Sequence, residues 1–415
     1  MSEVLQKAQK ARAAARQAAF LTAAQKNKAL RSMAQDLIQN MPVILQANAE
    51  DRQRAVRNKM PSALLDRLTL NARRIKGMAA GLRTLAGLPD PNQRILEEIK
   101  RPNGLRITKI AVPLGVIALI YEARPNVTAD AAGLCLKAGS AVILRGGSAA
   151  AASNKIIADI LRQTLRRQRL PEDIIQSIAT AGHRAVAELM SLREYIDLLI
   201  PRGGAELIRR TVAEAAIPVL ETGTGNCHVY VDSAADLRKA YNIVWNAKTQ
   251  RPSVCNAAES LLVHRAVAAS FLPKILPALT AAGVILHGCA ETRKYAPQVL
   301  PATAADYGRE YLDLEISVKV VGSLREAIEH IYRYGTKHTE AIVTENKKNA
   351  EQFLREVDAA AVLVNASTRF TDGGEFGFGC ELGISTQKLH ARGPLGLREM
   401  MSYKYLVRGS GQVRK

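Results

Sequence analysis

A chain of 415 residues that is 47% hydrophobic has room for two or three domains and a large core, and no need of disulfide staples. Its five cysteines, Cys135, Cys227, Cys255, Cys289 and Cys380, are odd in number, far apart and never paired as C-x-x-C, which argues against a disulfide framework or structural zinc and for reduced thiols in the cytoplasm. The net charge of +20 fits nucleic acid, small anions or a plainly basic surface, but 4% aromatics with no basic stripe among stacking residues argues against nucleic acid, and no apolar stretch approaches the ~20 residues of a membrane span.

The opening segment is rich in Ala and Arg, as transit peptides are, yet its apolar residues keep helical spacing into Leu30, Met33 and Leu37. Helices are expected over 2–21, 23–39, 42–58 and 71–88, with Thr22 and Asn71 as caps and Pro42 in a first turn. The texture then turns β-branched: LRITKIAVP alternates and reads as half exposed, whereas GVIALIYEA reads as buried. From there short apolar runs alternate with helical patterns through AVILRGG, IIQSIA, YIDLLIPRGG, IPVLETGTGN and HVYVD, the pattern of a doubly wound parallel sheet. The densest basic run, with Arg162, Arg166 and Arg169 at helical spacing, reads as a solvated helix face.

Glycines follow several of these strands, at Gly146 and Gly147, Gly203 and Gly204, and Gly223 and Gly225. Ligands of such sheets gather beyond the carboxyl ends of the strands, so these loops form a candidate nucleotide site, although neither G-x-G-x-x-G nor a P-loop is present. A second α/β pattern, from ESLLVH to AAVLVNAS, follows Cys255 and predicts a second domain, with the cysteine at the junction of the two patterns. SYKYLVRG reads as a final strand.

Cys255 stands in TQRPSVCNAAES, where a thiol could be buried filler, a metal ligand or a nucleophile. Arg251 and an expected helix start beside it would both favour the thiolate. Cys227 and His228 are neighbours on a predicted strand, which turns their side chains to opposite faces and weakens a local Cys-His pair. Asn126 opens a predicted helix; its amide could cap that helix or donate to a developing oxyanion.

The stretches VPLGVIALIYEARPNVTADAAGLCLKAGSAVILRGG, DLLIPRGGAELI, NAKTQRPSVCNAAESLLVH, VNASTRFTDGGEFGFG and ISTQKLHARGPLGL make the chain resemble, over essentially its whole length, the aldehyde dehydrogenase superfamily and its glutamate-5-semialdehyde dehydrogenase branch. The resemblance implies an aldehyde dehydrogenase-like α/β fold with a Rossmann-like cofactor domain over 1–98 and 113–246, an α/β catalytic domain over 247–397, and a small β oligomerisation element from 99–112 and 398–415. It implies Cys255 as nucleophile and Asn126 as oxyanion donor, and assigns Arg145, Gly146, Gly147 and Ser148 to the adenosine-ribose loop, Gly203 and Gly204 to the pyrophosphate and Glu315 to the nicotinamide ribose. Ser148 stands where NAD-preferring relatives carry an acid, which leaves room for a 2′-phosphate that Arg145 could help neutralise, so the expected cofactor is NADPH/NADP⁺.

Glu221 has the position of the general base in hydrolytic relatives, but a reductase of acyl phosphates must not activate water against its own thioester, and it is left without a role. Arg124, Arg369 and Arg392 are candidates for the substrate carboxylate or phosphate, with no basis for choosing among them. The implied reaction reduces L-glutamyl 5-phosphate to L-glutamate 5-semialdehyde for proline synthesis. The implied partners are further copies of the chain, as dimer or tetramer, and the glutamate 5-kinase that makes the substrate, with no nucleic acid and no membrane. The alternatives are another acyl derivative as substrate, or a nucleic-acid-binding protein on a retired enzyme scaffold.

Overall fold

Side-chain caps fix where the opening helices begin in the computed structural model, which describes residues 1–180 and 182–414. Helix α1 (Glu3–Ala18) starts on the Ser2 hydroxyl, which accepts from the Leu5 N–H, and α2 (Ala23–Gln39) on a capping box between Thr22 and Gln25. Helix α3 (Met41–Arg57) has Pro42 in its first turn, the short α4 (Ser62–Leu68) follows where periodicity gives no signal, and α5 (Ala72–Gly87) starts on Asn71. Strands β1 (Ile95–Lys100) and β2 (Arg106–Pro113) come next.

The chain divides into two units, one of residues 1–222, 377–383 and 395–415, the other of 223–376 and 384–394. In the first, β3 (Val116–Tyr121), β4 (Ala141–Gly146), β5 (Ile175–Ser177) and β6 (Leu198–Arg202) form a parallel sheet ordered β5-β4-β3-β6. The crossovers carry α6 (Asn126–Ala138), α7 (Ala151–Arg167) and α8 (His183–Ser191), and α9 (Ala205–Glu214) follows β6. Every residue of β3 is buried, as a strand covered on both faces requires. Val4, Ala8, Ala11 and Ala15 of α1 share a core with Val116, Ala118 and Ile143. Asp197 Oδ2 ties that helix to the sheet by accepting from Arg12 Nη1 at 2.6 Å and from the Val116 N–H at 2.8 Å. The expected strand in IPVLETGTGN is reduced to one bridge, Leu199 to Val219. Of the expected basic face, Arg162 pairs with Glu172 and Asp173 and Arg166 with Glu172, whereas Arg169 lies exposed beyond the end of α7 in the left-handed region; Arg167 pairs with Asp36.

The second unit contains β7 (Cys227–Val231), α10 (Leu237–Thr249), β8 (Ala258–His264), α11 (Arg265–Ala281), β9 (Ile285–Gly288), α12 (Ala290–Arg293), β10 (Leu300–Pro301) and α13 (Ala304–Tyr307). It continues with β11 (Glu315–Val321), α14 (Leu324–Tyr334), β12 (Thr339–Val343), α15 (Lys347–Glu356) and β13 (Ala361–Val364). Its sheet is parallel and seven-stranded, ordered β10-β9-β11-β8-β7-β12-β13, and β14 (Ile384–Ser385) pairs with β15 (Gly393–Pro394) as a small ribbon.

Three expected boundaries move. The cofactor domain was to reach 246, but β7 is hydrogen-bonded between β8 and β12, so the division falls at 222 and 223. An apolar pentamer reads alike in either sheet, and nothing local in CHVYV says which one it joins. Residues 377–383 and 395–397, expected in the catalytic domain, pack with the first unit. The β element begins at Ile95 rather than 99, because β1, whose Glu97 and Glu98 mask its strand character, pairs antiparallel with β2. Strand β16 (Met401–Arg408) pairs with the other side of β2 from Met401 opposite Pro113 to Arg408 opposite Arg106. Its far edge is not hydrogen-bonded within the sheet order β1-β2-β16, and Tyr403, Tyr405 and Val407 lie exposed on one face. Among the described residues no helix is long and apolar enough to cross a membrane.

Lys248 of α10 and Glu259 of β8 form a 2.6 Å ion pair with both side chains fully buried. Burial pushes the Glu259 carboxyl up and the Lys248 ammonium down, and each opposes the other's shift. Lys248→Met should therefore leave a buried, uncompensated carboxylate and lower stability by about 3–5 kcal/mol, read from the denaturant midpoint, whereas Lys248→Met with Glu259→Leu should recover most of the loss.

Candidate active site

The sheet order of the first unit places a topological switch between β3 and β6, since the chain leaves β3 toward β4 and later returns to β3's other side. Beyond the carboxyl ends of these strands stand Glu122 on one side and Gly203 and Gly204 on the other. Glu122 Oε2 accepts from the Gly204 N–H at 3.0 Å, and a Cβ on Gly203 would meet the Glu122 carboxyl and Leu207. After β4, the Gly147 N–H donates to the Tyr121 carbonyl at 2.7 Å, a Cβ on Gly146 would run into Asn154, and Ser148 is exposed where a short turn leads into α7. Backbone without side chains at the ends of adjacent strands, just ahead of α7 and α9, suits a dinucleotide's phosphates.

Arg145 is buried and largely spent on backbone: Nη1 donates to the Gly146 carbonyl at 2.9 Å and Nη2 to the Gly182 carbonyl at 3.1 Å. It braces the loop, with Nε buried and without a hydrogen-bond partner. The sequence reading missed Glu122, whose signal is only its place directly after a buried strand.

Asn126 is the first residue of α6, one position past Pro125, which stands at the cap. The amide donates to Asp130 Oδ2 at 2.9 Å, one turn along the helix. Arg124 precedes this helix and is half-buried, as is Glu221, two residues ahead of the second unit.

In the second unit the chemistry-bearing residues lie at the amino ends of the strands. Cys255 sits in a turn closed by the Ala257 N–H donating to the Val254 carbonyl, just before β8. The helix start expected beside it is not there; α10 ends at Thr249, so the nearest helix terminus in sequence is a carboxyl one, which does not favour thiolate. Burial pushes the Arg369 guanidinium down, against the charges of Asp372, Cys255 and Cys227, which raise it, and with that of Arg251, which lowers it. Arg369 Nε also donates to Gln250 Oε1 at 2.7 Å.

Three neighbours hold the Cys255 backbone. A Cβ on Gly225 would land on the Cys255 carbonyl, so only glycine fits there, and the Gly225 N–H donates to Glu310 Oε1 at 2.6 Å. The Cys227 thiol donates to the same Cys255 carbonyl at 3.1 Å. Asn256 is buried, and its Nδ2 donates to the Thr371 carbonyl at 2.9 Å, joining the cysteine turn to the segment that carries Arg369. Sequence reading named none of these as positioning groups, because each acts across the fold rather than along the chain.

Cys227 and His228 do face apart. Cys227 lies 3.6 Å from His338 Nδ1, while His228 Nδ1 and Glu340 Oε2 are 2.9 Å apart on the other face. Glu315, at the start of β11, is 2.6 Å from His287 Nε2, with that ring stacked on Tyr311. Arg392 pairs with Asp358 at 2.7 Å, which Lys388 also engages, so of the candidate arginines in this unit Arg369 is the one whose charge couples to Cys255. No group of three or more His, Cys, Asp or Glu among the described residues could hold a metal ion.

The aldehyde dehydrogenase family profile matches residues 1–309. The gamma-glutamyl phosphate reductases of Halothermothrix orenii and Moorella thermoacetica are each 56% identical to the chain over 413 residues, covering 100% of it and 99% of their own length. The crystal structure of gamma-glutamyl phosphate reductase from Thermotoga maritima superposes over 100% of both chains with a TM-score of 0.94 at 49% identity.

Burial pushes the thiols of Cys135, Cys227 and Cys380 up, whereas Cys255 and Cys289 are partly accessible. Limiting iodoacetamide at neutral pH should alkylate Cys255 first, as read by peptide mass mapping. Gly225→Ala, which must shift the Cys255 carbonyl, should change that rate, and Gly77→Ala, with open space around its Cβ, should not.

Proposed function

Since this chain belongs to the aldehyde dehydrogenase family and, within it, to the gamma-glutamyl phosphate reductases, we propose that it reduces L-glutamyl 5-phosphate with NADPH to L-glutamate 5-semialdehyde and inorganic phosphate through a thioester on Cys255. The observation that carries this reading is the fixed backbone of the partly accessible Cys255, whose carbonyl accepts from the Cys227 thiol and closes against Gly225. A nucleophile needs access and a held backbone, and this turn has both.

Cys255 Sγ attacks the γ-carbonyl carbon and forms a C–S bond. The Asn126 amide and the Cys255 N–H steady the developing oxyanion, and the C–O bond to phosphate breaks with its electron pair on the leaving group. Phosphate leaves without help from a general base, so Glu221 needs no part in this step. Bound NADPH supplies the hydride that reduces the thioester carbonyl. The resulting hemithioacetal collapses, returning the thiol and releasing the aldehyde.

Gly147, Ser148, Gly203 and Gly204 would hold the dinucleotide, with the Ser148 hydroxyl in place of a carboxylate and Arg145 bracing the loop toward a 2′-phosphate. Glu315, held by His287, would meet the nicotinamide ribose. Arg369 is the preferred substrate cation of the second unit, and Arg124 that of the first. The product semialdehyde cyclises unaided, which suits a place in proline synthesis. The open edge of β16, with Tyr403, Tyr405 and Val407 exposed, supports pairing with another copy of the chain.

The reverse reaction tests the whole reading. With NADP⁺, inorganic phosphate and glutamate semialdehyde in equilibrium with its cyclic form, absorbance should report NADPH formation that depends on phosphate and disappears in Cys255→Ala. Turnover near the wild-type rate in that variant would rule out the thioester. Asn126→Ala should lower kcat by roughly 10²- to 10³-fold with the fold intact.

A further inference from the structure

An oxyanion site built on an asparagine side chain needs its nitrogen, not its oxygen, turned toward the substrate. A primary amide can present either end by a half-turn about one bond, and Asn126 is exposed at the start of its helix, so its own packing does little to choose. The choice falls to Asp130, whose Oδ2 accepts from Asn126 Nδ2 at 2.9 Å. An ionised carboxylate only accepts, so it can pair only with the NH₂ end, and one N–H bonded there leaves the second for another acceptor.

Asp130 is set in an environment that neither its helix nor the bulk solvent provides. It keeps slight solvent access but sits among enough protein that desolvation is the largest influence on it, pushing its carboxyl up to about 6. Three groups oppose that shift: the Asn126 amide on its own helix, the Cys380 thiol from the 377–383 segment, and the Arg202 charge at the end of β6. Cys380 is buried against α5, where a Cβ on Gly81 would lie 2.6 Å from its Sγ, and Glu381 beside it adds negative potential. A carboxyl so placed costs the fold stability when ionised, and an apolar side chain of the same size would not.

We propose that Asp130 is a positioning residue for the reductase reaction: its carboxylate, steadied by Cys380 and Arg202, holds the Asn126 amide with a free N–H toward the oxyanion. The inference rests on the reading of Asn126 as oxyanion donor. It explains why 377–383 packs with the first unit, since that segment delivers the Cys380 thiol to Asp130. Protonated Asp130 can donate to the amide oxygen and turn the NH₂ away, so the amide is correctly held only above the carboxyl's folded-state pKa. As pH falls through about 6, kcat should fall with it.

The test is a double-mutant cycle on kcat in the reverse assay, using wild type, Asn126→Ala, Asp130→Leu and the double variant. Asp130→Leu should lower kcat by about 10- to 100-fold, leave the KM for NADP⁺ little changed, and have no further effect once Asn126 is Ala. A full additional loss in the double variant would assign Asp130 a role independent of Asn126 and overturn the inference. If Asn126→Ala lowers kcat and Asp130→Leu does not, the inference fails and the oxyanion reading stands. If Asn126→Ala leaves kcat unchanged, both fail. Should Asp130→Leu not fold, Asp130→Asn keeps the size and an acceptor without the titration; the acidic limb near pH 6 should vanish from its profile, and a limb that persists would overturn the proposal.

Discussion

The carbonyl of Cys255 occupies the space that a side chain at Gly225 would need. That exclusion brings the loop before β7 flush against the loop before β8, so two strands adjacent in the sheet also share one fixed backbone at their amino ends. Around it the interactions are directional: the Cys227 thiol on the same carbonyl, the Glu310 carboxylate on the Gly225 N–H, and the Asn256 amide on the Thr371 carbonyl. Behind it, the buried Lys248 and Glu259 pair joins the preceding helix to β8. A thiol held this way would spend little freedom in the proposed reaction.

Parallel sheets gather their loops at two ends, and the two units use opposite ones. In the first unit the candidate cofactor loops follow β3, β4 and β6, where glycines and helix starts offer N–H groups to anions. In the second, Gly225, Cys255, Glu310 and Glu315 all precede or open strands β7, β8 and β11. The usual expectation of ligands beyond carboxyl ends therefore describes one unit and not the other. The boundary between the units was misplaced because β7 is as fully buried as the strands of either sheet.

Electrostatics separates thiols and arginines that look equivalent in the sequence. Burial keeps Cys135, Cys227 and Cys380 protonated, and the two buried thiols nearest the site serve as hydrogen-bond partners instead. Among the arginines, Arg392 is neutralised by Asp358, Arg145 is given to carbonyls, and the charge of Arg369 couples to Cys255. Arg162, Arg166 and Arg167 of α7, in the basic run that stands out in the linear chain, are tied to nearby acids.

Local chemistry was legible in the sequence wherever a rule acts over a few residues. Ser, Thr and Asn caps, the continuously apolar strands, the glycine loops and the isolation of Cys255 among polar residues all read directly, because each depends on neighbours within about one turn or one strand. The extended motifs added the family and, with it, the chemistry expected of Cys255 and Asn126. What the sequence could not decide was which distant group stands against which. That Asn126 bonds Asp130, that a helix end and not a helix start precedes Cys255, and that β7 belongs to the second sheet follow from packing between segments far apart in the chain. Apolar burial is non-directional and sets only which residues go inside; hydrogen bonds and steric exclusion, which are directional and short-ranged, decide their partners once the chain has folded.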